Sequence, residues 1–217
     1  MKNELLKRIL SSIILIPITF FLIFKGSFLF NIFIFFCFLI SSYEWHMMCK
    51  KKPYYFPGFL FLFFSFLSAF KLINYIDTYQ FFLSIIIVCI STDIGGYVFG
   101  KILKGPKLTK ISPKKTYTGM LGSYFFAILF LNIIYPSFSD FVNPFETNFK
   151  FIIFIILVST FSQLGDIIIS YFKRLSKIKD TGKIIPGHGG LLDRIDGMIF
   201  AFPFSYIILK FNIFQYF

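Results

Sequence analysis

The chain has 217 residues, of which 57% are hydrophobic and only 15% charged. That balance excludes an ordinary soluble domain, which needs far more polar surface. The formal net charge of +12 is compatible with nucleic acid, anionic lipid or an anionic substrate, so the placement of the cations has to decide between them.

Long apolar runs predict transmembrane helices at roughly 8–24, 28–47, 56–72, 79–99, 117–136, 149–168 and 197–215. The fold expected is therefore an all-α polytopic membrane protein with about seven spans. The first stretch, from Ile9, continues as a span and has no small-residue cleavage site behind it, so it does not read as a signal peptide. Lys25-Gly26-Ser27 is read as a tight hairpin between the first two spans. Most of the 36 Phe sit inside the apolar runs and read as packing and lipid-facing residues. Cys37, Cys49 and Cys89 form no CxxC pair and read as small hydrophobes. No internal repeat and no separate soluble domain is visible.

With the N-terminus inside, the cytoplasmic segments hold 18 of the 22 Lys and Arg. Only Lys25, Lys71, Lys150 and Lys210 fall outside. Cytoplasmic loops are enriched in Lys and Arg, so the distribution predicts an N-in, C-out topology. The basic excess then lies on one membrane face, which points to an anionic substrate or headgroup and not to a nucleic acid.

Charged groups at a membrane boundary are costly and are functional candidates for that reason. The acidic positions to explain are Glu44, Asp93, Asp166 and the pair Asp193/Asp196. Asp93, Asp166 and Asp193/Asp196 all fall at predicted cytoplasmic ends of spans. Carboxylates gathered at one depth suit a hard cation such as Mg²⁺, which takes carboxylate oxygens together with water and phosphate. Gln163, Asp166 and Ser170 share one helical face by spacing, and Asp193 and Asp196 share one if their segment is helical. Ser112, Lys114, Lys115 and Thr116 stand just before the fifth span, where Lys ammoniums beside hydroxyls suit a phosphate. In Pro186-Gly187-His188-Gly189-Gly190 the glycines allow backbone N–H groups to approach an anion closely. Only Arg8, Arg174 and Arg194 are arginines, and two of these three lie in the carboxylate-bearing segment. A guanidinium offers planar bidentate contacts that Lys cannot copy.

These residues carry a resemblance. Ser170-Tyr-Phe-Lys173-Arg174, Lys179-Asp180-Thr-Gly182 and Pro186-Gly-His188-Gly189-Gly190-Leu-Leu-Asp193-Arg194-Ile-Asp196 run over 27 residues without a gap. Together they resemble the signature of phosphatidate cytidylyltransferases. Upstream, Gln163-Leu-Gly165-Asp166 is similar to that family's Q-x-G-D element. Asp93 to Gly100 and Ser112 to Thr116 are similar to its D-x-x-x-Y and S-P-x-K-T elements. The family usually has Glu in the position that follows the aromatic of the last element. Thr118 replaces it here, so no role of that Glu transfers. The N-terminal spans match in character only, and the chain is shorter than many members.

The resemblance implies an enzyme of the cytoplasmic membrane that makes CDP-diacylglycerol from CTP and phosphatidate. It also implies a homodimer and a divalent cation, usually Mg²⁺, with the identity of any second cation left open. It places residues 1–76 as N-terminal transmembrane hairpins and 77–217 as the catalytic part. Asp166 and Asp193 correspond to the family's metal ligands. Lys173, Arg174 and Lys179 would hold phosphates. Arg194 would either contact phosphate or orient Asp193 and Asp196. Asp93, Ser112, Lys114, Lys115, Thr116, Ser170, Asp180, His188, Gly189 and Gly190 are candidate substrate contacts.

Three other readings fit less well. Asp193-Arg-Ile-Asp196-Gly197 imitates the opening of the CDP-alcohol phosphotransferase motif but lacks its Ala-Arg. A transporter commonly shows internal repeats and a site near the midplane. A CTP-dependent lipid or polyprenol kinase shares the nucleotide but transfers a different group.

Overall fold

The computed structural model describes residues 13–14, 17–25, 27–75, 80–134, 148–187, 189–211 and 213. The apolar runs become helices because a bilayer offers no hydrogen-bonding partner to an unpaired backbone. They are α1 (Ser27–Cys49), α2 (Tyr55–Tyr75), α3 (Gln80–Leu103), α4 (Tyr117–Ile134), α5 (Asn148–Leu175), a single turn α6 (Leu192–Ile195) and α7 (Met198–Lys210). Among the described residues there is no β-strand, only two isolated bridges. The all-helical fold expected from the sequence is thus found among the described residues.

Among the described residues, four helices are long and apolar enough to cross a membrane: Phe28–Cys49, Tyr55–Asn74, Gln80–Leu103 and Phe149–Leu175. Tyr117–Ile133 and Met198–Lys210 are apolar but shorter. The first expected span lies partly outside the described residues, where residues 17–25 are helical. Gly26 of the expected hairpin also lies outside them. Asp196, just beyond α6, keeps helical backbone angles (φ −57°, ψ −35°), so Asp193 and Asp196 have the helical spacing that puts them on one face.

The chain divides into two units. The first comprises residues 1–79 and 172–196. In it α1 and α2 pack antiparallel. Asn74 donates to Asn31 (3.4 Å) near one end of the pair, and Phe38 meets Phe63 and Phe66 edge-on in the middle. Near the other end the Trp45 indole lies directly on Gly58, where an added Cβ would stand 1.9 Å from the ring. The same indole donates to Tyr55 O (3.0 Å) and meets Phe172 edge-on. Phe30, Leu62 and Leu72 complete a buried seam.

The second unit comprises residues 80–171 and 197–217. Here α3 and α4 touch backbone to backbone. A Cβ on Gly95 would stand 2.4 Å from Gly122 O, and one on Gly119 would stand 2.7 Å from Gly96 O. In lipid, where helices gain nothing by hiding apolar surface from water, such close approach is what van der Waals packing requires. Hydroxyls add links. Ser123 Oγ donates to Thr92 O (2.7 Å), and Thr92 Oγ1 donates to Ser159 Oγ of α5 (2.8 Å). Stacked pairs Phe82–Phe202 and Phe161–Phe204 fix α7 to α3 and α5.

The helices α1, α3 and α5 share a C-terminal device. Each is followed by a lysine at positive φ: Lys51 (66°), Lys104 (45°) and Lys177 (57°). After α5 the geometry is a Schellman closure, with Ile178 N–H donating to Lys173 O and Lys177 N–H to Arg174 O, both at 3.0 Å. Glycine is the usual occupant, because a Cβ in that conformation is penalised. Lys177→Gly is therefore expected to stabilise the protein by about 0.5–1 kcal/mol once the entropy of a more flexible unfolded chain is subtracted. Thermal unfolding in detergent should rise by about 1–4 °C. An unchanged or lower midpoint would contradict a strained cap.

Candidate active site

In the first unit the last turn of α5 delivers Lys173 and Arg174. Lys173 is buried, at 8% exposure, whereas Arg174 is exposed and donates to Ile178 O (3.1 Å) across the helix end. The chain then runs through Lys179 and Asp180, both exposed, into a tight loop closed by Ile185 N–H to Gly189 O (3.0 Å). Gly187 (φ 75°) and Gly189 (φ 88°) take left-handed angles that other residues rarely adopt, which accounts for glycine at both. His188 lies outside the described residues.

Asp193 is the hub of this loop. Its Oδ1 accepts from Lys173 Nζ (2.8 Å), and its Oδ2 accepts from Thr181 N–H (2.8 Å) and Gly190 N–H (3.1 Å). The side chains of this ion pair are 10% and 5% exposed. Burial by itself pushes the Asp193 carboxyl up. The Lys173 hydrogen bond, the Thr181 N–H, the Lys173 charge and the Gly190 N–H outweigh it and hold the group below the ordinary carboxylate range. Asp196 is buried and Arg194 exposed.

A second carboxylate reaches the same loop from far away in sequence. Glu44, 1% exposed on α1, accepts at Oε1 from Leu191 N–H (2.9 Å). Its Oε2 accepts from Leu192 N–H (2.8 Å) and from the Thr181 hydroxyl (3.1 Å). Sequence reasoning singled out Glu44 as a charge in an apolar run but gave it no role. Of the glycine segment, the Gly190 N–H faces an anion, and here that anion is the chain's own Asp193 carboxylate.

In the second unit the segment between α3 and α4 folds back on itself. Leu108 N–H donates to Lys115 O (2.8 Å) and Tyr117 N–H to Pro106 O (3.0 Å). Ser112 N–H donates to Thr109 Oγ1 (3.1 Å), and Thr116 caps α4 by accepting from Gly119 N–H (3.1 Å). Thr118, in the position where the family pattern has Glu, accepts from Gly105 N–H (3.2 Å) and stands 3.0 Å from the Thr116 hydroxyl. This folding presents Lys115, whose ammonium pairs with Asp166 Oδ2 and reaches Gln163 O (3.4 Å). Ser170 donates to Asp166 Oδ1 (3.4 Å), which confirms the face read from their spacing. Lys114 and Asp93 are exposed.

The structure therefore gathers Lys173, Thr181, Gly189, Gly190 and Asp193 with Glu44 in one unit, and Lys115, Asp166 and Ser170 in the other. Hard oxygen donors of this kind suit Mg²⁺. An ammonium already stands on one oxygen of each aspartate, Lys115 on Asp166 and Lys173 on Asp193, so each position holds a positive charge. Among the described residues no three His, Cys, Asp or Glu assemble as a metal cage. An ion would take its remaining ligands from water and substrate phosphates, as Mg²⁺ commonly does.

A family model described as the cytidylyltransferase family matches residues 6–86 and 55–212. A phosphatidate cytidylyltransferase of Staphylococcus haemolyticus (strain JCSC1435) is 41% identical over 120 residues, covering 54% of this chain and 44% of that protein. One from Bacillus subtilis (strain 168) is 40% identical over 134 residues, 61% of this chain and 47% of the relative. One from Rickettsia bellii (strain RML369-C) is 43% identical over 123 residues, 54% and 52% respectively. The chain spans about half the length of the curated relatives it matches.

Proposed function

The chain belongs to the cytidylyltransferase family, and from that premise we propose that it is a phosphatidate cytidylyltransferase that makes CDP-diacylglycerol from CTP and phosphatidate. The observation that carries this reading is the identity of about two residues in five with proteins of that name. The organisation of the 27-residue signature around Asp193 supports it.

The attacking oxygen belongs to the phosphate of phosphatidate, which is already an anion, so a strong general base is not required. It bonds to the α-phosphorus of CTP as the bond to the bridging oxygen of the β-phosphate breaks, and pyrophosphate leaves. Catalysis then rests on positioning and on neutralising charge. Lys114, Lys115, Lys173, Arg174 and Lys179 supply positive charge to the phosphates. Asp166 and Asp193 would hold Mg²⁺, which when bound stabilises negative charge on the phosphates. Lys115 and Lys173, whose ammoniums stand on Asp166 and Asp193, would themselves neutralise charge on substrate phosphate oxygens. Asp93, Ser112, Thr116, Ser170, Asp180, His188, Gly189 and Gly190 are the proposed substrate contacts. Arg194 either meets phosphate or orients Asp193 and Asp196, and Asp196 is counted with Asp166 and Asp193 among the catalytic carboxylates.

The decisive experiment follows label from the α-phosphate of CTP in purified protein supplied with phosphatidate, with and without Mg²⁺. Label entering lipid only with Mg²⁺ is the expected result. Label entering lipid from the γ-phosphate instead would identify a CTP-dependent kinase.

The same reading places the protein in the bacterial cytoplasmic membrane as a homodimer, with about seven spans, N-in and C-out, and the site at the cytoplasmic face. The 18-to-4 division of Lys and Arg supports the orientation. So do the lysines that close α1, α3 and α5, since alternate crossings end on one side. Tags at the N-terminus and after Lys104 should be cytoplasmic, and a tag near Asn143 periplasmic. Protease protection that put Asn143 and Lys104 on one side would sink this topology.

A further inference from the structure

We infer that Glu44, which lies 126 residues ahead of the signature's first residue, is a positioning residue that sets the geometry of the signature loop and through it the Asp193 carboxylate. The inference rests on the reading of that loop as the site of cytidylyl transfer. Glu44 does not face solvent, being 1% exposed, and its two oxygens take three donors from the loop. Burying a carboxylate is costly unless its oxygens are satisfied, so the α1 segment and the loop must fold around this group together.

The two carboxylates of the loop are interleaved. Gly190 N–H goes to Asp193, and the next two, Leu191 N–H and Leu192 N–H, go to Glu44. Thr181 serves both, with its N–H on Asp193 Oδ2 and its hydroxyl on Glu44 Oε2. Shape agrees with the hydrogen bonds. An added Cβ on Gly182 would stand 2.6 Å from Glu44 Oε1, and one on Gly190 would stand 2.6 Å from Oε2 and 2.2 Å from Thr181 Oγ1. Two glycines of the signature are therefore small because Glu44 occupies the space beside them. A neutral amide of the same size would keep one acceptor oxygen but turn an NH₂ group toward at least one donor, leaving that donor unpaired.

The test uses the full chain in detergent or lipid nanodiscs, comparing wild type with Glu44→Gln, Glu44→Asp and Thr181→Val. Trp45, next to Glu44 and the sole tryptophan of the chain, reports folding by its fluorescence. In Glu44→Gln the kcat for CDP-diacylglycerol formation should fall by about 10-fold or more, with the KM for CTP changed much less. Glu44→Asp should recover part of the loss, and Thr181→Val should fall between wild type and Glu44→Gln. Amide exchange gives a readout independent of turnover. Protection at Thr181 and Gly190, whose N–H groups bond Asp193 and not Glu44, should drop in Glu44→Gln. Retained protection at those two amides, or unchanged kcat in a folded Glu44→Gln, would overturn the inference. If Glu44→Gln loses native Trp45 fluorescence, Thr181→Val becomes the deciding variant, and wild-type kcat and protection there overturn the inference. Wild-type protein that moves no label from CTP to lipid would refute cytidylyl transfer itself, and the exchange arm would still decide the role of Glu44.

Discussion

Asp166→Asn is expected to lower turnover by well over 100-fold while leaving the protein folded. The loss should exceed the about 10–100-fold that outer partners of a metal site typically cost, because here a proposed ligand itself loses its charge. Asn keeps the shape and one carbonyl oxygen, so packing on α5 is conserved. The ion pair with Lys115 disappears, but its side chains are 24% and 30% exposed, and such pairs contribute only about 0–1 kcal/mol. Thermal unfolding should therefore move little. The measurement is label transfer from CTP across a Mg²⁺ titration, read beside an unfolding curve. Turnover near wild type at saturating Mg²⁺ would remove Asp166 from the proposed metal site.

Asp193→Asn should match that loss of turnover and differ in stability. Lys173 and Asp193 are both nearly buried, and removing one charge leaves the other without its partner in a poorly hydrated place. Breaking such a pair typically costs about 3–5 kcal/mol. The loop should loosen, with faster amide exchange at Thr181 and Gly190. The pH dependence follows from the lowered Asp193 value. A carboxyl depressed in the folded state contributes fully above its unfolded value of about 3.9, and the contribution is lost as pH falls through the lowered folded value. In wild type, protection at the two amides should persist down to about pH 4 and fail only below it. Asp193→Asn should show weak protection at every pH. Equal stability of the two Asn variants would contradict the contrast between a partly exposed pair and a nearly buried one.

The helical, membrane-spanning nature of the chain was legible from hydrophobic runs alone, because in lipid the backbone has few alternatives. The pairing of Asp166 with Ser170 was legible from a spacing of four on one helix. Lys173 meeting Asp193 was not, since the two are 20 positions apart and the chain between them turns back through a loop whose path depends on two left-handed glycines. Glu44 shows the limit most clearly. Its charge inside an apolar run announced a purpose, but its partners lie 137 to 148 residues away. No local periodicity encodes which distant N–H groups a buried carboxylate will collect. Thr118 is a related case: its departure from the family pattern was visible, while its bond to the Gly105 amide needed the folded segment.

The glycine contact of α3 with α4 bears on mechanics. At the points where the two backbones touch, no side chain stands between them that could change rotamer to take up a displacement. Gly95 on Gly122 O, and Gly119 on Gly96 O, make the pair a stiff frame. The segment carrying Ser112, Lys114, Lys115 and Thr116 is slung between the adjoining ends of that frame, so its two attachment points stay a fixed distance apart. On the proposed function, accommodation of a nucleotide would come from the lysine side chains, which are long and freely jointed, while the scaffold that carries them holds still.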